Sequence, residues 1–343
     1  MMTETMKAVG FYQGLPLSDP KALQDLELAK PHAQGRDILV AVKATSVNPV
    51  DTKIRQTTPL QEAAKVIGWD AVGTVAEVGD EVTKFKVGDR VYYAGAVNRS
   101  GSDEEFQLVD ERLVSLAPEK LSDEQAAAMP LTSLTAYELL FDKLHLIPEA
   151  NAEYGKTLLI INGAGGVGSI LIQLAKWIGM TVIASASRPE TIAQVKAMDA
   201  DFVVNHRENY VDQVHDLGFD YVPYIILLHS TERHFDRAAE LVAPFGHIAS
   251  IVESTEDLPM SKIKNKSASF DWEFMFAKGN YQYHIETQGQ ALQLVAELFD
   301  AGVLKSTLSK TYHGISADTI RQAHADVEAD RMIGKVVVSG GFN

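Results

Sequence analysis

Three glycines in the middle of the chain have the spacing of a phosphate-binding turn. Gly163, Gly165 and Gly168 follow an apolar run at residues 157–161, and apolar residues then recur at helical spacing. In such a strand–turn–helix unit the first glycine permits the turn, the second lets the backbone approach a pyrophosphate, and the third lets helix and strand pack closely. The prediction is a dinucleotide held at the helix N-terminus by the residues of this turn: Gly163, Ala164, Gly165, Gly166, Val167 and Gly168. No lysine precedes Ser169, which excludes a P-loop.

The residues after the next strand predict which dinucleotide binds. An acidic side chain at this point would bond the ribose hydroxyls of NAD, whereas donors and cations suit the 2′-phosphate of NADP. Here Ser187 and Arg188 end the strand region, and the first acid, Glu190, lies inside the following helix. We therefore predict NADPH. The alternative for Arg188 is a solvated surface side chain.

The elements that position these residues change character along the chain. The first hundred residues predict strands and turns, with period-two alternation at residues 37–47. A helical pattern then opens with a Ser122 cap and is interrupted at Pro130. Short β-rich runs alternate with helices from there, at residues 157–161, 181–185, 201–205, 222–228 and 247–252. This alternation predicts a parallel doubly wound sheet, and it favours a dinucleotide over a glycine turn that only permits close packing.

The tail from residue 304 predicts a strand, a helix and a strand that rejoin the N-terminal domain. The fold class is therefore α/β, with a small β-barrel or meander domain and a doubly wound sheet.

The composition excludes several classes of function. The 46 acidic and 31 basic residues give a net charge of -15, which repels nucleic-acid phosphates and anionic lipids. No basic-then-apolar leader opens the chain, and no apolar run reaches the about 18 residues of a spanning helix. The expectation is a cytoplasmic protein without nucleic-acid or membrane partners. With no cysteine, the chain has no disulfide, thiol nucleophile or thiolate zinc site.

Several segments resemble the medium-chain dehydrogenase/reductase superfamily, over nearly the whole chain. They are ATSVNPVDTKIR (44–55), IGWDAVGTVAEVGDEVTKFKVGDRVY (67–92), PLTSLTAYELL (130–140), the glycine stretch (162–179) and IGKVVV (333–338). The sequence is most similar to the quinone oxidoreductase-like branch, and to its bacterial group of zinc-type alcohol dehydrogenase-like proteins, through SASFDWEFMF (267–276) and DERLVSLAPEKLS (110–122). The resemblance implies a GroES-like catalytic domain of residues 1–127 and 299–343 around a Rossmann NADP-binding domain of residues 128–298. Members are commonly dimers or tetramers, so a homodimer is expected.

Zinc-dependent members of this superfamily use ligands that the chain lacks. Their first ligand, a cysteine, is replaced by Asn48, and their histidine–glutamate pair is replaced by Trp69 and Asp70. The third ligand, another cysteine, falls near Leu131, and the four-cysteine structural lobe is missing. The two residues that come nearest to a pair of metal ligands are His229 and His234. No third ligand accompanies them, so we interpret His229 as a loop residue and His234 as a helix-surface residue. We infer that the chain holds no zinc.

Without a Lewis acid, reduction of a conjugated acceptor is easier than oxidation of a simple alcohol. The hypothesis is an NADPH-dependent reductase of quinones or α,β-unsaturated carbonyls, because a few hydrogen-bond donors can hold the developing oxygen charge. The resemblance places Asn48 at the vacated metal position as that donor, although an asparagine satisfying the turn before Pro49 would fit equally well. Asp51 matches an aspartate that supports the site. Tyr92 or Tyr93 is a candidate proton donor, and packing within a strand is the alternative.

Three more residues are assigned to the cofactor by the resemblance. Thr135 corresponds to a residue beside the cofactor, His206 to a position that flanks the adenosine phosphate, and Lys335 to a cofactor-contacting segment. The alternatives are a solvent-facing turn histidine for His206 and a strand-edge lysine for Lys335. Trp272 and Phe274 either line the acceptor pocket or fill the core.

Three other functions stay open. An enoyl thioester reductase shares the Asn-Pro-x-Asp pattern at residues 48–51, but the tyrosine that follows it in those relatives is absent from residues 52–66. An NADPH-binding redox sensor or structural protein with little turnover would keep every cofactor feature. A zinc-dependent alcohol dehydrogenase would require stoichiometric zinc.

Overall fold

Sixteen strands and eleven α-helices lie within residues 4–342, the part of the chain that this computed structural model describes. The strands are β1 (Thr5–Phe11), β2 (Gln24–Ala29), β3 (Asp37–Val47), β4 (Lys65–Val66), β5 (Ala71–Val78), β6 (Arg90–Tyr93), β7 (Phe106–Asp110), β8 (Val114–Leu116), β9 (Thr157–Ile161), β10 (Thr181–Ser185), β11 (Phe202–Val204), β12 (Val222–Leu227), β13 (Val242–Ser250), β14 (Ser269–Trp272), β15 (Leu308–Ile315) and β16 (Lys335–Phe342). The helices are α1 (Pro49–Thr57), α2 (Asp123–Ala127), α3 (Pro130–Tyr137), α4 (Gly166–Trp177), α5 (Pro189–Ala197), α6 (Tyr210–Asp216), α7 (Thr231–Leu241), α8 (Ser261–Lys264), α9 (Ala277–Tyr281), α10 (Glu286–Asp300) and α11 (Ala317–Glu328). A π-helical segment, Glu138–Lys143, continues α3, and 3-10 helices occupy Pro20–Ala22 and Glu111–Leu113. No helix in this part of the chain is long and apolar enough to cross a bilayer.

The described chain divides into two units, one of which interrupts the other along the sequence. Unit 1 contains residues up to 134 and again from 276, and unit 2 contains residues 135–275. The predicted domain boundaries follow residues 127 and 298, so the two divisions differ in the placement of α10, which lies in unit 1. This helix approaches β8 so closely that a Cβ added to Gly289 would lie 2.9 Å from a backbone oxygen of the strand.

The larger sheet of unit 1 joins strands from both sides of the interruption. Its order is β15-β16-β3-β5-β6-β8, and β7 also pairs with β3. β3 matches the strand predicted at residues 37–47, most of its side chains are buried, and strands pair with it on both edges. β16 pairs antiparallel with β3, which confirms the predicted strand–helix–strand return of the tail. A second sheet of unit 1 has the order β2-β1-β4.

Unit 2 is built on six parallel strands in the order β11-β10-β9-β12-β13-β14. All five residues of β9 are buried, as expected for an apolar strand covered on both faces. The strand order reverses between β9 and β12, and in open sheets of this kind ligands bind beyond the carboxyl ends of the strands at such a point. The predicted α/β class, with a β domain and a doubly wound sheet, is confirmed.

The sixth strand of this sheet, β14, is absent from the sequence prediction, which proposed only five. Its four residues are half-buried or exposed, and it lies at the sheet edge with one neighbour. Phe270 and Trp272 alternate with Ser269 and Asp271, so the strand pattern is present in the sequence, but it was missed because it spans only four residues at an edge. β13 also begins at Val242, earlier than the predicted 247.

Candidate active site

The glycine turn of unit 2 has the geometry expected of a pyrophosphate site. A Cβ added to Gly168 would lie 2.5 Å from the carbonyl oxygen of Gly163, so α4 can pack this close only on a glycine. Gly165, in contrast, has no atom within 4 Å of an added Cβ, so the space beside it is open. The N–H groups in the first turn of α4 have no acceptor within the helix, and they would bind the pyrophosphate oxygens. The residues of the turn therefore fit a dinucleotide.

Arg188 shares its charge with a neighbouring acid. It immediately follows Ser187 and precedes α5, and its Nε lies 2.8 Å from Oε1 of Glu190. The first acidic side chain after β10 therefore pairs with the arginine that is predicted to hold the 2′-phosphate. Half of the Glu190 side chain is exposed, so the pair lies near the surface.

His206 is linked to the glycine turn through one buried hydroxyl. Ser185 Oγ lies 3.0 Å from His206 Nδ1 and accepts a 2.8 Å hydrogen bond from the backbone N–H of Asn162. Burial lowers the pKa of His206, and the positive charges of Arg207 and Arg233 lower it further. The ring is therefore uncharged near neutral pH, in an environment of positive charge beyond the carboxyl ends of the strands.

His234 is a correction to the sequence analysis, which placed it on the surface of a helix. The side chain is buried in α7, with its ring centroid 6.3 Å from that of His206 and 5.9 Å from that of Tyr210. Burial lowers the pKa of His234 to about 4. His229 lies in a loop as predicted, with Nδ1 2.7 Å from Ser230 Oγ.

The remaining unit 2 candidates lie in different environments. Thr135 is buried in α3, at the start of the unit. Trp272 and Phe274 are about half exposed, which argues against the alternative that they fill the core.

In unit 1, three neighbouring strands place three polar side chains together. Lys335 is the first residue of β16, Asn48 directly follows β3, and Asp70 directly precedes β5. Because β16 and β5 flank β3 and are both antiparallel to it, these three residues lie at one end of the sheet. We refer to Lys335, Asn48 and Asp70 as the lysine cluster.

The lysine cluster is closed by short hydrogen bonds. Lys335 Nζ donates to Asp70 Oδ2 over 2.8 Å and also to Asn48 Oδ1. Asn48 Nδ2 donates to Asp70 Oδ2 over 2.8 Å, and the backbone N–H of Leu131 donates to Asp70 Oδ1 over 2.7 Å. All three residues of the cluster are buried, and the most exposed of them, Lys335, is only 4% exposed. The amide oxygen of Asn48 therefore faces the cation, and its nitrogen faces the carboxylate.

Asp51 supports the cluster from the first turn of α1. Its Oδ2 accepts a 2.8 Å hydrogen bond from the backbone N–H of Asn48, while its Oδ1 is buried with no hydrogen-bond partner among the described residues. Burial raises the pKa of Asp51 to about 7, although the Asn48 N–H and the Lys335 ammonium oppose the shift. Burial also raises the pKa of Asp70, against the opposing effect of Lys335.

A third buried carboxyl extends this network. Asp103 Oδ1 accepts a 3.2 Å hydrogen bond from Thr45 Oγ1, which lies 2.7 Å from Ser102 Oγ. Ser102 Oγ in turn donates to the backbone oxygen of Asp70 over 3.1 Å. Burial raises the pKa of Asp103 well above its ordinary value, and the charge of Asp51 adds to the shift. The Lys335 ammonium opposes the shifts of Asp51 and Asp70 only, and for all three carboxyls burial favours the protonated form.

Tyr92 lies in β6 and is fully buried. Its hydroxyl donates to the carbonyl oxygen of Leu292, which favours the packing alternative over a proton donor. Burial raises its pKa well above the ordinary value.

The sequence analysis did not select Asp70 as a functional residue, and it assigned Lys335 to the cofactor. In the structure the ammonium of Lys335 is bonded within unit 1 to Asp70 and Asn48. The available signals were a carboxylate directly before a buried strand and a lysine at the start of the apolar run VVV. Each signal alone also fits a surface charge, because only the strand pairing brings the two residues together.

Comparison with known proteins finds similarity to two dehydrogenase domain families and to zinc-type alcohol dehydrogenase-like proteins. The profile of the alcohol dehydrogenase GroES-like domain matches residues 34–116, and that of the zinc-binding dehydrogenases matches residues 166–297. A zinc-type alcohol dehydrogenase-like protein of Staphylococcus epidermidis is 41% identical over 335 residues, covering 97% of this chain and 99% of its own. The crystal structure of a Rhizobium etli protein named after the zinc-dependent alcohol dehydrogenases is 42% identical, with a TM-score of 0.94 over 99% of both chains.

More distant relatives carry names of specific reactions. The 2-methylene-furan-3-one reductase of Solanum lycopersicum is 27% identical over 326 residues, covering 91% of this chain and 74% of its own. The quinone oxidoreductase of Coxiella burnetii is 26% identical, with a TM-score of 0.81 over 98% of this chain and 99% of its own.

The zinc implied by these family names does not fit the residues present. Trp69 is buried and uses its indole N–H to donate to the carbonyl oxygen of Ala96, and Leu131 is apolar. The oxygens that a cation would seek, on Asp70 and Asn48, already accept from the Lys335 ammonium. Zinc sites in proteins require imidazole, thiolate or several free carboxylates. Among residues 4–342, no group of three such side chains could hold a metal ion.

Proposed function

The chain belongs to the medium-chain dehydrogenase/reductase superfamily, in its zinc-type alcohol dehydrogenase-like group, and we propose that it is a metal-independent, NADPH-dependent reductase of quinones or α,β-unsaturated carbonyls. The observation that carries the proposal is the lysine cluster. At the position where zinc-dependent members of the superfamily have their metal ligands, this chain has a buried ammonium and an amide N–H, both of which donate to the Asp70 carboxylate.

Donors of this kind suit a conjugated acceptor. Bound NADPH supplies the hydride, and the negative charge that develops on the acceptor is delocalised onto its oxygen. A few oriented N–H groups can stabilise such an oxyanion, whereas an isolated alkoxide needs a stronger Lewis acid. Asn48 Nδ2 donates to Asp70 Oδ2 over 2.8 Å and to the backbone oxygen of Ser46 over 3.5 Å, so the hydrogen bond of its second hydrogen is long and could be replaced by one to an acceptor. The second hydrogen is the donor that we assign to the acceptor oxygen.

The proposed cofactor is NADPH rather than NADH. The turn at Gly163 to Gly168 would bind the pyrophosphate, and Ser187 and Arg188 would bind the 2′-phosphate. The positive charges that lower the pKa of His206 favour a phosphate in the same region. Thr135 stays assigned to a position beside the cofactor by the superfamily resemblance. We also expect a homodimer.

The names of the relatives support a conjugated acceptor. A quinone and a methylene-furanone both place a carbon–carbon double bond next to a carbonyl, which is the arrangement that accepts a hydride without a metal. One relative is named a quinone oxidoreductase and another a 2-methylene-furan-3-one reductase, so both names refer to acceptors of this kind.

The direct test is NADPH oxidation by chelator-treated protein with 1,4-benzoquinone, methyl vinyl ketone, an enoyl thioester and a simple aldehyde, with NADH in parallel. We expect turnover of the quinone or the enone with NADPH and no loss on chelation. Asn48→Ala should lower kcat by about 100-fold, the usual cost of one oxyanion donor, with NADPH affinity unchanged. Reduction of the aldehyde alone, or dependence on added zinc, would contradict the proposal. Tight NADPH binding with every acceptor inert would instead indicate a sensor or structural protein.

A further inference from the structure

We propose that Lys335 is a positioning residue of this reductase. Its buried ammonium supplies the positive charge of the metal-free site and turns the Asn48 amide so that an N–H, and not the oxygen, is available to the acceptor. This inference rests on the proposed function and adds a residue and a role to it.

The ammonium of Lys335 is buried and paired. Lys335 is 4% exposed and Asp70 is fully buried, and the two lie 2.8 Å apart. A lysine charge removed from water is costly unless it is paired and hydrogen-bonded, and here both requirements are met by Asp70 and by the oxygen of Asn48. Lys335 is held at this point because it begins β16, a strand that lies between β15 and β3 in the sheet. The charge is therefore a fixed part of the site.

The orientation of the Asn48 amide follows from that charge. Rotating the amide by half a turn would place Nδ2 against the Lys335 ammonium and Oδ1 against the Asp70 carboxylate, which replaces two favourable contacts by two repulsive ones. An ammonium has only donors and a carboxylate only acceptors, so Lys335 and Asp70 together permit only one orientation of the Asn48 amide. Without Lys335, a protonated Asp70 could donate to Oδ1, and the amide would lose its preferred orientation.

This role differs measurably from a cofactor contact. A lysine that binds NADPH changes the affinity for NADPH, whereas a lysine that orients Asn48 changes hydride transfer and leaves that affinity alone. The structure favours the second role because Nζ is bonded to two side chains of its own unit.

The test uses the full-length protein with charge-balanced variants. Lys335→Met alone leaves Asp70 buried without a partner, so Lys335→Met is combined with Asp70→Asn to keep the cluster neutral. We expect this double variant to bind NADPH within twofold of wild type and to lose about 10- to 100-fold in kcat, as when an orienting partner of a site is removed. Lys335→Arg, which keeps the charge, should recover part of the loss. Lys310→Met is the matched control, because Lys310 lies on the adjacent strand β15 and pairs with Asp326 at the surface.

The decisive comparison repeats the double variant in the Asn48→Ala background. If Lys335 acts through Asn48, the two losses in kcat do not add, and the triple variant is no slower than Asn48→Ala. Additive losses, wild-type kcat in the double variant, or a more than tenfold weaker NADPH affinity with kcat intact would overturn the inference. If the double variant does not fold, the same comparison is made with Lys335→Arg. Inactivity of the wild type with every acceptor would instead refute the proposed function, so the two failures are distinguishable.

Discussion

At the scale of single residues, the charge of Arg188 is divided between an acid and the phosphate assigned to it. Glu190 lies one residue beyond Pro189 in α5, with its carboxylate 2.8 Å from the Arg188 guanidinium. A phosphate bound at this place would compete with that carboxylate for the positive charge of the guanidinium. The preference for NADPH therefore depends on both residues, and substitution of each should move it in opposite directions.

We expect Arg188→Ala to weaken NADPH binding by about tenfold and to leave NADH binding unchanged, because a hydrogen bond to a charged group contributes about 1.5–3 kcal/mol. Glu190→Gln should strengthen NADPH binding, since it removes a negative charge beside the guanidinium that would repel the 2′-phosphate. Dissociation constants of both cofactors, measured by fluorescence at low and high salt, check this. Equal effects on NADH and NADPH would show that the arginine does not contact the 2′-phosphate.

At the scale of elements, the turn between β9 and α4 uses its glycines for two different purposes. Gly168 is required by the fold, because the backbone of Gly163 fills the space where a side chain would go. Gly165 is not, because the space beside it is open and its φ of -72° suits any residue. A pyrophosphate bound against the backbone would account for a glycine at the second position.

Two alanine substitutions separate these purposes. Gly168→Ala should destabilise the protein by about 1–3 kcal/mol, the usual cost of overpacking, with NADPH affinity reduced as a consequence. Gly165→Ala should leave the urea midpoint of unfolding within error and still weaken NADPH binding by tenfold or more, because its methyl group meets the pyrophosphate. The check is urea unfolding of each variant beside NADPH titration. A Gly165→Ala protein with wild-type affinity would place the dinucleotide elsewhere.

Some of these elements could be predicted from the sequence and others could not. The glycine turn, β3 and β9 to β13 were predictable because each depends on local periodicity or on a turn chemistry that neighbouring residues report. β14 was missed, since it is a short edge strand whose alternation of polar and apolar side chains covers only four residues. The pairing of Lys335 with Asp70 could not be predicted either, because it depends on the long-range pairing of β16 with β3. The burial of His234 had the same cause, a tertiary contact with His206 and Tyr210.

At the scale of the whole molecule, buried acids and histidines give the stability an asymmetric dependence on pH. Asp51, Glu104 and Glu273 have pKa values raised by burial to about 7, 8 and 9, so the folded chain keeps protons that the unfolded chain releases near pH 4. Their contribution to stability is lost as the pH rises through those values. Burial lowers the pKa of His234 and His324 to about 4 and 3, so these groups favour folding increasingly up to about pH 6.5 and add nothing further above it.

We therefore expect the free energy of unfolding to fall more steeply above pH 6.5 than below it, by about 1.4 kcal/mol per pH unit for each acid still protonated. Asp51→Asn cannot ionise and should flatten the decline between pH 5 and 7. Urea unfolding from pH 5 to 9 measures both curves, with the exposed Asp220→Asn as the matched control. Parallel curves for Asp51→Asn and wild type would show that Asp51 does not hold a proton in the folded state.

The position of β16 between β15 and β3 has a consequence for biosynthesis. β3 emerges from the ribosome early, and its partner on that side is translated only after the whole of unit 2. In the interval one edge of β3 has unpaired backbone groups, and Asn48 and Asp70 have no ammonium between them. Unit 2 can complete its parallel sheet during this time, since its contacts come from one continuous stretch of chain. The nascent polypeptide would thus acquire a nucleotide-binding fold first and a complete catalytic centre only when translation has delivered Lys335.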